Sequence, residues 1–182
     1  MGEGGAGSVG DGIVIRPGKA RDVPELLEIY NHYVHTSEAT FDLAPHTLEQ
    51  RQEWFSHYHL DGRHRLFVAD RDSAVLGYAT SSVFRPRAAY DRSIETSVYV
   101  RAGATGLGLG TRLYRALFTA LAGEDIHRVY AGVTVPNAAS MALHQRFGFR
   151  ENGRFHEVGW KFDQWWDVVF LERRVEESPL GG

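Results

Sequence analysis

Between Val98 and Tyr114 the chain passes from a strand-like segment through a glycine loop into a helix-like one. Gly106, Gly108 and Gly110 free this loop to adopt positive φ, so successive N–H groups can converge at a helix N-terminus, where the dipole already favours negative charge. Phosphate or pyrophosphate suits such a loop; an ordinary glycine-rich turn would use the same residues. Gly108-Leu109-Gly110-Thr111 lacks the Lys-Ser/Thr ending that holds a terminal phosphate and its metal, which argues against a nucleotide hydrolase. The nine histidines include the pairs His32 and His35, and His57 and His59, without a His-Glu-x-x-His frame. No cysteine is present, so thiolate nucleophiles and thiolate metal sites are excluded, and no metal is expected.

The elements that must position this loop follow from the hydrophobic pattern. The strand Ile94 to Arg101 sorts Ile94, Thr96, Val98 and Val100 to one face and Glu95, Ser97 and Tyr99 to the other, unless a bulge shifts the alternation. After the loop, Leu113, Tyr114, Leu117, Phe118 and Leu121 recur at helical spacing and read as core. Val129 to Val135 is a further strand. Asn137 then caps a helix running through His144 to Phe147, which Gly148 closes.

Upstream, Ile13 to Arg16 is a short strand, and Asp22, Pro24 and Glu25 mark a helix start that sends Val23, Leu26, Leu27 and Tyr30 inward. Thr36 to His46 has no helical period and reads as a loop. Thr47 with Gln50 is a capping box for a helix reaching about His59, which Asp61 and Gly62 end. Leu66 to Ala69 and Val75 to Val83 form a hairpin around Asp70 to Ser73. Phe84 to Arg92 is a connection with three arginines and two aromatics, either solvated or facing a ligand. The final strands, Phe149 to His156 and Trp166 to Arg173, are joined by a loop over Glu157 to Trp165.

This order predicts an α+β domain at 13–175, with a mixed, mostly antiparallel twisted sheet of about seven strands and four helices on its faces, between flexible tails at 1–12 and 176–182. With 182 residues, 43% of them hydrophobic, one core is expected. A net charge of -3 leaves no basic stripe for nucleic acid. No run of about 18 apolar residues offers a membrane span and no signal pattern opens the chain, so a cytoplasmic protein is expected.

The glycine motif after the fourth strand, Pro136-Asn137-Ala138-Ala139-Ser140 and Leu143-His144-Gln145-Arg146-Phe147-Gly148-Phe149 together resemble the GNAT superfamily of acetyl-CoA-dependent N-acetyltransferases. Tyr30-Asn31-His32-Tyr33, Ile94 to Val100 and Gly159-Trp160-Lys161-Phe162 are similar to its phosphinothricin and methionine sulfoximine acetyltransferases. The likeness spans about Ile13 to Val175.

It implies that acetyl-CoA is the acetyl donor. Main-chain groups of Val98, Tyr99 and Val100 would receive its acetyl and pantetheine end, and Thr105, Gly106, Leu107, Gly108, Leu109, Gly110 and Thr111 would wrap the pyrophosphate. Asn137 would bond the pantetheine arm. Thr105 departs from the family's usual Gln or Arg, which shortens one side-chain reach to pyrophosphate. By the same resemblance Glu95 would take the proton that the substrate ammonium must lose, directly or through water. His144 stands where relatives place a tyrosine that protonates the leaving thiolate, and it serves as that acid or packs. Phe41, Arg87 and Tyr90 would enclose an amino-acid-like substrate, with Arg87 clamping a carboxylate or phosphinate. An acetyltransferase of protein termini or lysines, and a non-catalytic acetyl-CoA-binding module, are the alternatives. A homodimer is expected from the aromatic run Trp160, Phe162, Trp165 and Trp166, and from the dimers of similar acetyltransferases.

Overall fold

The computed structural model describes residues 11–175. The expected tails lie outside the described residues, except that Asp11 and Gly12 are described and the Asp11 carboxylate pairs with Arg112 at 2.6 Å. In chain order the elements are β1 (Val14–Pro17), α1 (Val23–Thr36), α2 (Leu48–Phe55), β2 (Leu66–Arg71), β3 (Ala74–Val83), β4 (Ser93–Val100), α3 (Leu109–Leu121), β5 (Arg128–Val135), α4 (Ala138–Arg146), β6 (Arg150–Lys161) and β7 (Gln164–Arg174). They build one seven-stranded sheet in the order β1-β2-β3-β4-β5-β7-β6. Every neighbouring pair is antiparallel except β4 with β5.

That single parallel pairing shapes the molecule. It covers only Ser93, Ile94 and Glu95 against Arg128, Val129 and Tyr130. Beyond Glu95 the strands part, and the side of β4 that faces β5 has no strand partner from Thr96 to Val100. Backbone groups left without a ladder need another partner.

Helices close both faces of the sheet. On one face Leu113, Tyr114, Leu117 and Leu121 of α3 pack with Ile94, Val129, Ala131 and Phe147, all essentially buried. On the other, Leu26 and Ile29 of α1 pack with Leu66, Val68, Val75 and Tyr78, and Trp54 and Phe55 of α2 lie against this cluster. Each buried leucine contributes about 1.5–3 kcal/mol through the apolar surface it removes from water.

Several expectations need correction. Asp22 precedes α1 but makes no side-chain cap; its carboxylate takes Arg16 at 2.7 and 2.8 Å and the Lys19 N–H at 2.8 Å. A buried carboxylate gains more from a guanidinium fork than from one amide. Ile29 and Val34 of α1 are buried, whereas Leu27 is only half-buried, because the inward stripe is rotated from the one expected. The Thr47–Gln50 capping box forms, with both reciprocal hydrogen bonds, but α2 stops at Phe55, well short of His59.

The loop expected over Glu157 to Trp165 is mostly strand. Gly159, Trp160 and Lys161 pair with Trp166, Trp165 and Gln164, leaving a two-residue turn at Phe162 and Asp163 with φ of 54° and 56°. Two positive-φ residues match the twist of an antiparallel pair, and Asp72 and Ser73 do the same between β2 and β3 at 54° and 70°. Neither pair contains the glycine that announces such a turn.

Candidate active site

Where β4 and β5 part, a cleft of about 570 Å³ opens, lined by Thr96 to Val100 of β4, the glycine loop, the start of α3, Gly132 to Thr134 of β5, and α4. Gly106 and Gly108 have φ of 83° and 66°, as the sequence predicts, and a side chain at either would meet nothing within 4 Å. Gly108 is the N-cap of α3 and supplies no side-chain acceptor, so the first N–H groups of the helix remain free for a ligand.

Gly110 differs from expectation: it lies inside α3 rather than at positive φ. A Cβ there would come 3.0 Å from Leu143 Cδ2, so its missing side chain lets α4 approach α3. Thr105, Leu109 and Thr111 line the cleft with the glycines, whereas Leu107 is exposed and does not. Asn137 lines the cleft and caps α4 by accepting the Ser140 N–H at 3.0 Å, which leaves its amide N–H groups to donate elsewhere.

Glu95 sits at the point of the fork. A methyl group added to Gly132, two residues beyond its β5 partner Tyr130, would lie 3.8 Å from Glu95 Oε1. Burial raises the Glu95 carboxyl above the ordinary carboxylate range, and the charge of Arg85 only partly opposes this. Among the described residues the carboxylate makes no ion pair or hydrogen bond. A carboxylate held partly desolvated and unpaired is disposed to take up a proton.

His144 is 3% exposed and lines the cleft beside Tyr114. Its Nδ1 lies 2.8 Å from Ser140 O and its Nε2 2.9 Å from the Tyr114 hydroxyl. A carbonyl can only accept, so this pattern assigns the proton to Nδ1 and makes Nε2 the acceptor of the Tyr114 O–H. Burial lowers the His144 pKa, against the weaker opposing effect of Ser140 O, and so disfavours the charged ring. Tyr114, which the sequence reads as core, is fully buried in the α3 core and also lines the cleft.

The expected substrate residues lie outside this lining. Phe41 rests on Gly159, and a Cβ on that glycine would overlap the Phe41 ring. Arg87 and Tyr90 are exposed in the connection before β4. That connection is attached to the fork through Phe84, which stacks on Tyr130 at 4.3 Å and touches Tyr90 at 6.0 Å. Arg85, not Arg87, is the loop arginine whose charge reaches Glu95.

The Tyr30-Asn31-His32-Tyr33 motif ties neighbouring segments to α1. The Tyr30 hydroxyl reaches Asp42 at 2.6 Å and Thr40 at 2.9 Å; Asn31 both donates to and accepts from the His46 main chain at 2.9 Å; Tyr33 donates to Val100 O at 2.8 Å.

Residues 15–170 match the family model described as acetyltransferase (GNAT) domain. The chain belongs to the GNAT acetyltransferase family. It is 51% identical over 163 residues to a phosphinothricin N-acetyltransferase of Streptomyces coelicolor, covering 88% of this chain and 95% of that protein. It is 36% identical over 164 residues to an L-methionine sulfoximine/L-methionine sulfone acetyltransferase of Pseudomonas paraeruginosa, covering 90% and 95%. Among solved structures it resembles a GNAT phosphinothricin acetyltransferase of Sinorhizobium meliloti in complex with acetyl-CoA, with TM-score 0.83 and 30% identity over 90% of this chain and 88% of that one.

The protein is thus an acetyl-CoA-dependent N-acetyltransferase of the GNAT family. The cleft fits that cosubstrate on chemical grounds: bare loop backbone and free helix N–H groups for the pyrophosphate, a strand edge without a ladder partner and engaged at Val100 by Tyr33 for the amide-rich pantetheine, and an asparagine amide beside it. Among the described residues no group of three or more His, Cys, Asp or Glu could hold a metal, and no helix is long and apolar enough to cross a membrane.

Proposed function

We propose that this enzyme acetylates the amine of a small amino acid of the phosphinothricin or methionine sulfoximine type, with Glu95 as the proton acceptor. The unpaired Glu95 carboxylate at the strand fork carries this reading, and the names of the two relatives support the substrate class. An ammonium cannot attack, so its proton passes to Glu95 directly or through water, and the freed amine adds to the acetyl carbonyl. Main-chain groups of Val98 to Val100 hold the acetyl end, while the glycine loop from Thr105 to Thr111, with α3, holds the pyrophosphate.

With its proton held on Nδ1 by Ser140 O, His144 has none to offer at Nε2. In that arrangement the Tyr114 O–H is given to Nε2; once Nε2 takes up a proton it donates to the Tyr114 oxygen instead, which frees the Tyr114 O–H to meet negative charge developing in the cleft. The acid role considered for His144 alone passes to the pair.

Arg87 and Tyr90, from the connection before β4, and Phe41, from the segment after α1, would enclose the substrate, with Arg87 on its carboxylate or phosphinate. A cytoplasmic homodimer is part of the same proposal. Trp160, Phe162 and Trp165 of the β6–β7 hairpin are 50%, 49% and 56% exposed, while Trp166 is half-buried and donates to Lys161 O at 2.9 Å.

A CoA-release screen over phosphinothricin, methionine sulfoximine, methionine sulfone, polyamines and a peptide panel tests the substrate class. Turnover should concentrate on the first three. Preference for peptides would replace this reading with a protein N-acetyltransferase, and silence with every amine would favour a binding module.

A further inference from the structure

We propose that the end of the β6–β7 hairpin sets affinity for the amine substrate by docking the segment between α1 and α2, with Lys161 as a positioning residue and Gly159 as the seat for Phe41. This rests on the reading of that segment as a wall of the amine site.

Lys161 is 3% exposed, and among the described residues its ammonium has no carboxylate ion pair. Burying an ammonium is unfavourable unless its N–H groups are taken up, and an apolar side chain would fill the same space more readily. The structure gives the reason for the charge: Nζ donates to Ser37 O and to Thr40 O, both at 2.8 Å. Burial lowers the Lys161 pKa, while the carboxylates of Asp42 and Glu38, on the docked segment, favour the charged form.

The second observation is steric and independent. Phe41, the residue after Thr40, lies on the bare backbone of Gly159, two residues before Lys161, where any Cβ would overlap its ring. The strand end is itself fixed by the Trp166 indole N–H on Lys161 O at 2.9 Å.

Both contacts converge on the cleft. Ala39 lies between the two tethered carbonyls and lines the cleft with Ser97 to Val100. Tyr30 and Asn31 hold the same segment from the α1 side at Thr40, Asp42 and His46. The hairpin therefore decides how closely Ala39 and Phe41 approach the amine site, although neither Lys161 nor Gly159 touches a reacting atom.

Lys161→Met keeps the side-chain length and removes the donors; Gly159→Ala keeps the donors and displaces Phe41. Each should raise KM for the amino-acid substrate about 10- to 100-fold, the range expected for lost hydrogen bonds to a charged group, with kcat and acetyl-CoA affinity nearly unchanged. Amide exchange at residues 38–42 should accelerate in both. Adding Phe41→Ala to Lys161→Met should raise KM by less than the product of the single effects. A merely structural role would instead lower the melting temperature and disturb kcat and acetyl-CoA binding together. Unchanged KM in either folded variant, unchanged exchange at 38–42, or fully multiplicative effects would overturn the inference. If Lys161→Met fails to fold, Gly159→Ala decides. Wild-type inactivity toward every amine would end the substrate reading alone, and exchange would then decide the docking role.

Discussion

Glu95 is the residue on which the chemistry turns. Glu95→Gln preserves its shape and removes its proton affinity, so kcat should fall about 10²- to 10⁴-fold at pH 7 while acetyl-CoA still binds. Because burial raises the carboxyl, the acidic limb of kcat/KM should lie above the ordinary carboxylate range in the wild type and vanish in the variant. Raising pH should recover part of the variant's loss, since more substrate amine is then already neutral. A pH–rate profile for both proteins checks this, and near-wild-type turnover of Glu95→Gln at pH 7 would falsify the base assignment. Tyr114→Phe removes the hydroxyl through which the pair reaches the cleft, and His144→Phe removes the ring that exchanges a proton with it. Both should lower kcat by roughly 10-fold without rescue at high pH, and the double variant should be little worse than either, because the two act as one unit. Additive losses, measured by steady-state turnover, would separate their roles. The alternation of β4 was enough to put Glu95 opposite Ile94 and Thr96. The Tyr114 pairing was not legible, because a tyrosine at helical spacing reads as core until the neighbouring helix is in place.

At the scale of elements, most boundaries follow from local rules, and the failures occur where a long-range partner wins. The Thr47 and Asn137 caps could be read because their partners lie three residues away. Asp22 could not, since its partner Arg16 belongs to β1 and also binds Asp70 of β2 at 2.6 Å. Burial opposes the Asp22 carboxylate, but the hydrogen bonds from Arg16 and Lys19 outweigh it and hold its pKa below the ordinary value. A depressed carboxylate pKa contributes stability above its unfolded value and loses it as pH falls through the folded one. Asp22→Asn should therefore destabilise by about 2 kcal/mol at pH 7, with the gap to wild type closing as pH falls below about 4. Urea unfolding of both proteins at pH 7 and pH 3 measures this; an equal gap at both would mean that the carboxylate charge is not what matters. The β6–β7 hairpin was missed for a related reason. Its turn places Phe162 and Asp163 at positive φ without glycine, and only pairing across the strands stabilises that choice.

For the whole molecule, the order of strands and helices could be read from the chain, but nothing in one chain's pattern says what covers its surface. Trp160, Phe162 and Trp165 are exposed on the β6–β7 hairpin at the edge of the sheet, where Val158 and Phe155 are also exposed at 49% and 55%. The Trp160 and Trp165 rings meet at 5.1 Å, so these two form one exposed aromatic pair. A second copy of this chain is the expected cover, since a symmetric dimer places the same patch on both sides of its axis. Exposed aromatics at the centre of such an interface carry much of its energy. Trp160→Asp with Trp165→Asp should therefore weaken association at least about 100-fold, since the two hot-spot losses together exceed about 3 kcal/mol. The hairpin also bears Lys161 and Gly159, so separation of the protomers should raise KM for the amine more than it alters acetyl-CoA binding, whose glycine loop lies across the fork. Light scattering at micromolar concentration reads the first effect and steady-state kinetics the second. A monomeric wild type would remove the dimer from the proposal, and a monomeric variant with unchanged KM would show that each protomer completes its own amine site.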